Sequence, residues 1–209
     1  MAGMAQFPDN FFDLAIVDPP YSDKCNLKGG SSRNGTHGWK TFSDKIDEWN
    51  VRPDSNYFKE LIRTSKNQII CGGNYFAKDL IESQGWIFWD KGQREFSLAD
   101  GELIYTSFDR ALRVFNYSRS KSNFSDEKFH PNQKPVALYR WLLQHYAKPG
   151  DTIIDTHVGS ASSLIACEWE GFFDYVGFEL DKDYYHDAKD RLETWRERHF
   201  GQYKLALAV

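Results

Sequence analysis

The chain has 209 residues, of which 41% are hydrophobic and 16% aromatic, and a net charge of -4. That is enough apolar material for a sheet covered on both faces, and too much for a disordered chain. No apolar run approaches the roughly 18 residues of a membrane span, and the opening "MAGMAQFPDN" lacks the charged and apolar regions of a signal peptide, so a cytoplasmic protein is expected. Three cysteines without CxxC spacing and six histidines without an HExxH pattern point to neither a disulfide framework nor a zinc site, and no metal is expected.

In chain order, the first apolar run, Asp13–Val17, reads as a strand buried on both faces because "DLAIV" shows no polar alternation. Residues 22–53 follow, rich in Gly, Ser, Asn and Lys and long for a connection, hence a candidate functional loop. A helix is expected over Ser55–Ser65, a strand over Gln68–Gly72 and a second helix over Asn74–Ser83. Trp86–Trp89, Glu102–Thr106 and Ala111–Tyr117 are strands in a helix-poor stretch, which predicts an antiparallel hairpin at one edge of the sheet. A second polar loop spans 116–133. Then come a helix over Pro135–Ala147, a strand over Thr152–Asp155, a helix over Ala161–Glu170, a strand over Tyr175–Glu179 and a helix over Asp183–Arg198. Strands alternating with helices predict an α/β protein with a mainly parallel sheet.

Two corners carry chemistry. In "IVDPPYS" a strand runs into Asp18-Pro19-Pro20-Tyr21. The prolines stiffen the turn and remove two donors, which leaves Asp18 and its neighbouring carbonyls outward as acceptors. In "DTIIDTHVGSAS" a strand ends at Asp155 and a small-residue turn leads into a helix with free N–H groups. Alone this is equally a structural turn. Glu179, at the end of the next strand, sits where an acid accepts from ribose hydroxyls, which favours a nucleoside site. No Gly-Lys-Ser/Thr follows the turn, so a triphosphate loop is not indicated. Charge is polarised as well: Arg110–Lys148 holds eight Lys or Arg against two acids, and Asp151–Val209 six against twelve. A basic middle is either a solvated face or a phosphate track.

Taken together, "DPPY", "HPNQKP" (His130–Pro135), "DTHVGSAS" and "FELD" resemble the motifs of the DNA amino-methyltransferases. The catalytic motif precedes the cofactor motifs, which is similar to the permuted β-type order, and the chain most resembles small phage or prophage adenine enzymes. The resemblance implies a Rossmann-like methyltransferase fold filling one domain over 1–209, with a seven-stranded, mainly parallel sheet, an antiparallel edge hairpin and helices on both faces. It implies S-adenosylmethionine as cofactor, held by Asp155, Thr156, His157, Gly159, Ser160, Ser162 and Glu179, with His130, Gln133 and Lys134 on the other side. It also implies double-stranded DNA as partner and a flipped-out adenine whose amine donates to Asp18 and the Pro19 carbonyl, beside Pro20 and stacked on Tyr21.

Cytosine enzymes of the family more often begin the corner with Ser, so Asp18 favours adenine; a cytosine N(4) enzyme and a non-catalytic DNA-binding relative are the alternatives. Lys24, Lys28, Arg33, His37, Lys40, Arg113, Arg119 and Lys121 are the candidate DNA contacts. With no large recognition domain, recognition is loose or shared across a homodimer. Thr156-His157 stands where the family has Pro-Phe, and Ala161 where it has Gly; the alanine is costly if φ there is positive.

Overall fold

The computed structural model describes residues 2–21, 51–94, 99–118, 133–172 and 174–206. The described strands are β1 (Phe12–Val17), β2 (Ser65–Cys71), β3 (Ile87–Asp90), β4 (Gly101–Thr106), β5 (Arg113–Asn116), β6 (Ile153–Asp155) and β7 (Tyr175–Gly177). They form one sheet in the order β5-β3-β4-β2-β1-β6-β7. The helices are α1 (Ser55–Thr64), α2 (Val136–Tyr146), α3 (Ser162–Glu170) and α4 (Lys182–Ala206). Among the described residues no helix is long and apolar enough to cross a membrane.

The continuous apolar runs have the predicted cause. On β1, Leu14 and Ile16 join β2's Ile69 and Cys71 in a core under α2 and α3, with Leu138, Leu142, Ile165 and Ala166. Ala15, Val17 and Ile70 point the other way, into a second core with Tyr57, Phe58 and Leu61 of α1. Successive strand residues alternate faces, so a strand covered on both sides must be apolar throughout.

β1 pairs in parallel with β2 on one side and β6 on the other, and β7 continues this run. The order in which strands are added therefore reverses at β1, with β2 on one side and β6 and β7 on the other, the kind of switch point whose carboxyl edge binds ligands in open α/β sheets. The antiparallel strand is β4, which lies inside the sheet between β2 and β3, and β5 closes that margin in parallel with β3. The hairpin thus makes up most of one half of the sheet. β4 meets β2 only through Ile104–Thr106, while Gly101–Leu103 run on beside β3 past the end of β2. The turn-proximal half of the hairpin overhangs the carboxyl edge.

The helix expected over Asn74–Ser83 does not form. Gly72, at φ 63°, turns the chain sharply after β2, and two 3-10 turns, Gly73–Tyr75 and Ala77–Asp79, follow. The buried Phe76 and the half-exposed Tyr75 face different surroundings, and Asp79 accepts from Ser55 Oγ at 2.5 Å. These tertiary contacts outweigh the local periodicity. α4 runs eight residues beyond the expected Arg198.

α1 starts where Asp54 accepts from the backbone N–H groups of Asn56 and Tyr57 at 3.0 and 3.1 Å. A cap of this kind contributes about 1 kcal/mol. Asp54→Ala is expected to lower stability by about that much, read from urea midpoints, with the sheet intact.

Candidate active site

Asp18 leaves the end of β1 at the carboxyl edge, with its side chain enclosed by groups from distant parts of the chain. Lys134 Nζ donates to both carboxylate oxygens at 3.0 Å and to Tyr21 Oη at 2.9 Å, and Tyr21 Oη donates to Asp18 Oδ1 at 2.8 Å. Lys134 is buried. Burial alone would lower its affinity for a proton, but the carboxylates of Asp18 and Glu102 outweigh this and hold it well above the ordinary lysine range. The Tyr21 phenol is likewise pushed up, by burial first and by Asp18 second, so it stays a donor.

The Tyr21 ring stacks on Tyr75, centroids 5.0 Å apart and planes 12° apart, and meets Phe76 edge-on. The backbone of Gly72 also lies against it: a Cβ at Gly72 would stand 2.3 Å from the ring, on a residue whose φ is already positive. The "CGGNYF" segment therefore serves as the wall of the Asp18 corner, and glycine is required there twice over.

One strand across, β6 ends at Asp155. Its carboxylate accepts from His157 N at 2.9 Å and Ser163 Oγ at 2.5 Å, and burial pushes it up to about 7 against those two hydrogen bonds. Thr156 Oγ1 bonds Tyr57 Oη at 2.6 Å and His157 Nδ1 at 3.0 Å, and the His157 ring meets Tyr57 edge-on. Burial lowers His157 to about 4, so the imidazole is neutral. Ser160 and Ser162 face one another at 3.2 Å, and Arg191 of α4 donates to the Ser160 carbonyl and to Ser162 Oγ. Glu179 follows β7 and accepts from Gly159 N at 2.8 Å and Asp181 N at 3.0 Å. A Cβ at Gly159, at φ 52°, would stand in ordinary contact with the His157 carbonyl oxygen at 3.9 Å. Ala161 does take the left-handed conformation, φ 61°, with its methyl packed among Val158, Leu164 and Ala188.

The structure thus gathers Asp18 to Tyr21 into one corner and Asp155 to Ser162 with Glu179 into another, on the neighbouring strands β1, β6 and β7. Lys134 has its partners at the other corner. It belongs to the Asp18 corner, because a buried ammonium needs a counter-charge and Asp18 supplies it. Gln133 precedes it, partly buried. Arg113 opens the marginal strand β5, three strand spacings or about 14 Å from β2. His130, Lys24, Lys28, Arg33, His37, Lys40, Arg119 and Lys121 lie outside the described residues. Sequence reading missed Glu102, Lys91, Tyr57, Ser163 and Arg191, which no motif marks; only the register of the hairpin brings the first two near Asp18.

A family model described as DNA methylase matches residues 86–190. The chain is 31% identical over 231 residues to the type II methyltransferase M.HpaI of Haemophilus parainfluenzae, covering 89% of this chain and 69% of that protein. Its fold is similar to that of M1.HpyAVI in a crystal structure of its SAM complex (TM-score 0.58, 18% identity, 91% of each chain). It is also similar to the cytosine-N4-specific PvuII DNA methyltransferase (TM-score 0.59, 14% identity, 93% of this chain and 86% of that one). The chain belongs to the N6/N4 family of DNA methylases.

Gly72→Ala is expected to cost at least about 2 kcal/mol, from left-handed strain plus overpacking against Tyr21, measured by urea unfolding. The two buried titrating groups of the Asp155 turn oppose each other in pH. Native Asp155 keeps a proton that the unfolded chain releases above 3.8, so its contribution is lost as pH rises from about 4 to about 7. Native His157 refuses a proton that the unfolded chain takes below 6.5, so its contribution is lost as pH falls towards about 4. Asp155→Asn leaves only the second. Between pH 4 and 6.5 its stability should rise with pH more steeply than that of the wild type, by up to about 1.4 kcal/mol per pH unit.

Proposed function

We propose that this DNA methylase, acting as one domain over 1–209, transfers a methyl group from S-adenosylmethionine to the exocyclic amine of a flipped-out adenine in double-stranded DNA. The observation that carries the reading is the adjacency of two built corners at the switch point, an acid held as an acceptor at Asp18 and a ribose-type acid at Glu179, on strands of one carboxyl edge.

The residues of the second corner fit the adenosine part of the cofactor. Glu179 has two backbone donors and keeps lone pairs for a ribose diol. Gly159, without a side chain, leaves the His157 carbonyl as the nearest group, 3.9 Å from where its Cβ would stand. Asp155, Thr156, His157, Ser160 and Ser162 hold the turn in shape through their mutual bonds, and His130 and Gln133 are the residues assigned to the other side of the cofactor. When bound, S-adenosylmethionine supplies a methyl group on a positively charged sulfur.

The chain's own contribution is to prepare the amine. An exocyclic nitrogen is a poor nucleophile because its lone pair is conjugated with the ring. Asp18 and the Pro19 carbonyl accept its two hydrogens and draw it towards tetrahedral geometry, and the stiff Pro19-Pro20 turn keeps those acceptors aligned. Asp18 then takes up the proton released. The Tyr21–Tyr75 pair lines the pocket in which the base stacks. Asp18 at the head of the corner favours adenine over cytosine. The basic residues of 22–53, with Arg113, Arg119 and Lys121, make the phosphate contacts.

DNA incubated with the protein and S-adenosylmethionine, hydrolysed to nucleosides and analysed by mass spectrometry, should yield N(6)-methyladenine. Asp18→Ala should reduce it by about 10² to 10⁴-fold. N(4)-methylcytosine as the sole product overturns the assignment of the base. Calorimetric titration checks the cofactor: no heat of binding at millimolar S-adenosylmethionine favours a non-catalytic DNA-binding relative, the reading that the left-handed Ala161 keeps open.

A further inference from the structure

Behind Lys134 stand two more charges with no assigned role. Glu102 lies on the overhanging half of β4, and Lys91 just beyond β3, across the hairpin from it. Glu102 Oε1 accepts from Lys91 Nζ at 3.0 Å, and that ammonium also lies over the Trp89 ring at 4.8 Å. Glu102 Oε2 is buried, and no donor among the described residues meets it at hydrogen-bond geometry; Lys134 Nζ stands 3.3 Å away as an ion pair. Four charges of alternating sign, Asp18, Lys134, Glu102 and Lys91, form one chain.

The stoichiometry of Lys134 is the informative part. An ammonium has three N–H groups, and four oxygens surround this one: both of Asp18, Tyr21 Oη and Glu102 Oε2. Three are hydrogen-bonded and Glu102 is short of a donor. In this arrangement Oδ1 of Asp18 accepts from both Lys134 and Tyr21, while Oδ2 accepts from Lys134 alone and keeps a lone pair for a base amine, but the ammonium beside both oxygens weakens Asp18 as an acceptor. A movement of about half an ångström brings Lys134 from 3.3 Å to the roughly 2.8 Å of a charge-assisted bond with Glu102, an N–H that is then no longer given to Asp18 or Tyr21.

We propose that Glu102 is a positioning residue that draws Lys134 towards itself when the amine arrives, so that the Asp18 carboxylate is less neutralised by the ammonium and accepts the amine's hydrogen more strongly, and that Lys91 restrains this pull by sharing the Glu102 carboxylate. The inference rests on the methyl-transfer reading of Asp18 above. Lys134 remains a cation throughout and only exchanges acceptors, so no proton is gained or lost in the step.

The test compares wild type, Glu102→Gln and Lys91→Met, each first shown to be folded by circular dichroism and to bind S-adenosylmethionine by calorimetry. Glu102→Gln is expected to lower kcat at least tenfold with KM for DNA and cofactor affinity within twofold. Lys91→Met, which leaves Glu102 to Lys134 alone, is expected to hold kcat at or above the wild-type value. Nitrogen-15 NMR of the Lys134 ammonium supplies a readout independent of turnover. The facing groups are Asp18, Tyr21, Cys71 and Glu102, and only the loss of the Glu102 charge should bring its titration down, by about one pH unit, while Lys91→Met should not lower it. An unchanged kcat in Glu102→Gln, an equal fall in both variants, or a Lys134 signal indifferent to Glu102 overturns the proposal. Wild-type protein that leaves DNA unmodified while the NMR shifts appear overturns the methyl-transfer reading instead.

Discussion

Strand β1 is closed on four sides. β2 and β6 hydrogen-bond its two edges, Leu14 and Ile16 face one helical layer, and Ala15 and Val17 face the other. A strand so confined has one way out, its carboxyl end, and there the chain places Asp18 before two prolines that allow little local adjustment. The position of the acid is thus inherited from the packing of the whole sheet.

The two halves of the sheet then contribute different things. The parallel half, β2-β1-β6-β7, presents its carboxyl ends side by side as a ledge: Gly72, Asp18, Asp155 and, just past β7, Glu179. The hairpin half contributes by its stagger, since β4 and β3 extend beyond β2 and carry Glu102 and Lys91 over that ledge. Stability does not call for such a cluster. Desolvating charges costs about as much as their attraction returns, and an apolar replacement of the same volume is commonly neutral or better. Removing one member alone is another matter, because the remaining buried charge is left uncompensated.

How much of this was legible in the residues follows from the range of the forces involved. The strands and their order of alternation with helices could be read because burial on both faces writes itself into local runs such as "DLAIV". The corners could be read because proline, glycine and a terminal acid mark turns locally. The segment after β2 could not: its apolar spacing suits a helix, and only the fit of Tyr75 and Phe76 against Tyr21 and Phe58 selects two 3-10 turns. Lys134 is marked by its motif, but its bond to Asp18 is not, since the two are 116 residues apart. Glu102 and Lys91 carried no local mark, because their meaning depends on strand register. The departure at Ala161 was visible, and the structure supplies the missing fact, a left-handed backbone that costs about 1 kcal/mol or more.

The alternating charges at the Asp18 corner also bear on how a polyanion arrives. Two carboxylates and two ammonium groups sum to zero, and neighbours of opposite sign separated by about 3 Å cancel one another within a short distance. At physiological salt, fields beyond about 8 Å are screened in any case. From the standpoint of an approaching phosphodiester backbone this acid-bearing pocket is electrically silent. On the proposed reading of Asp18, the acceptor of the amine is thereby presented to a negatively charged substrate without repelling it, and any long-range attraction is left to charges elsewhere on the surface.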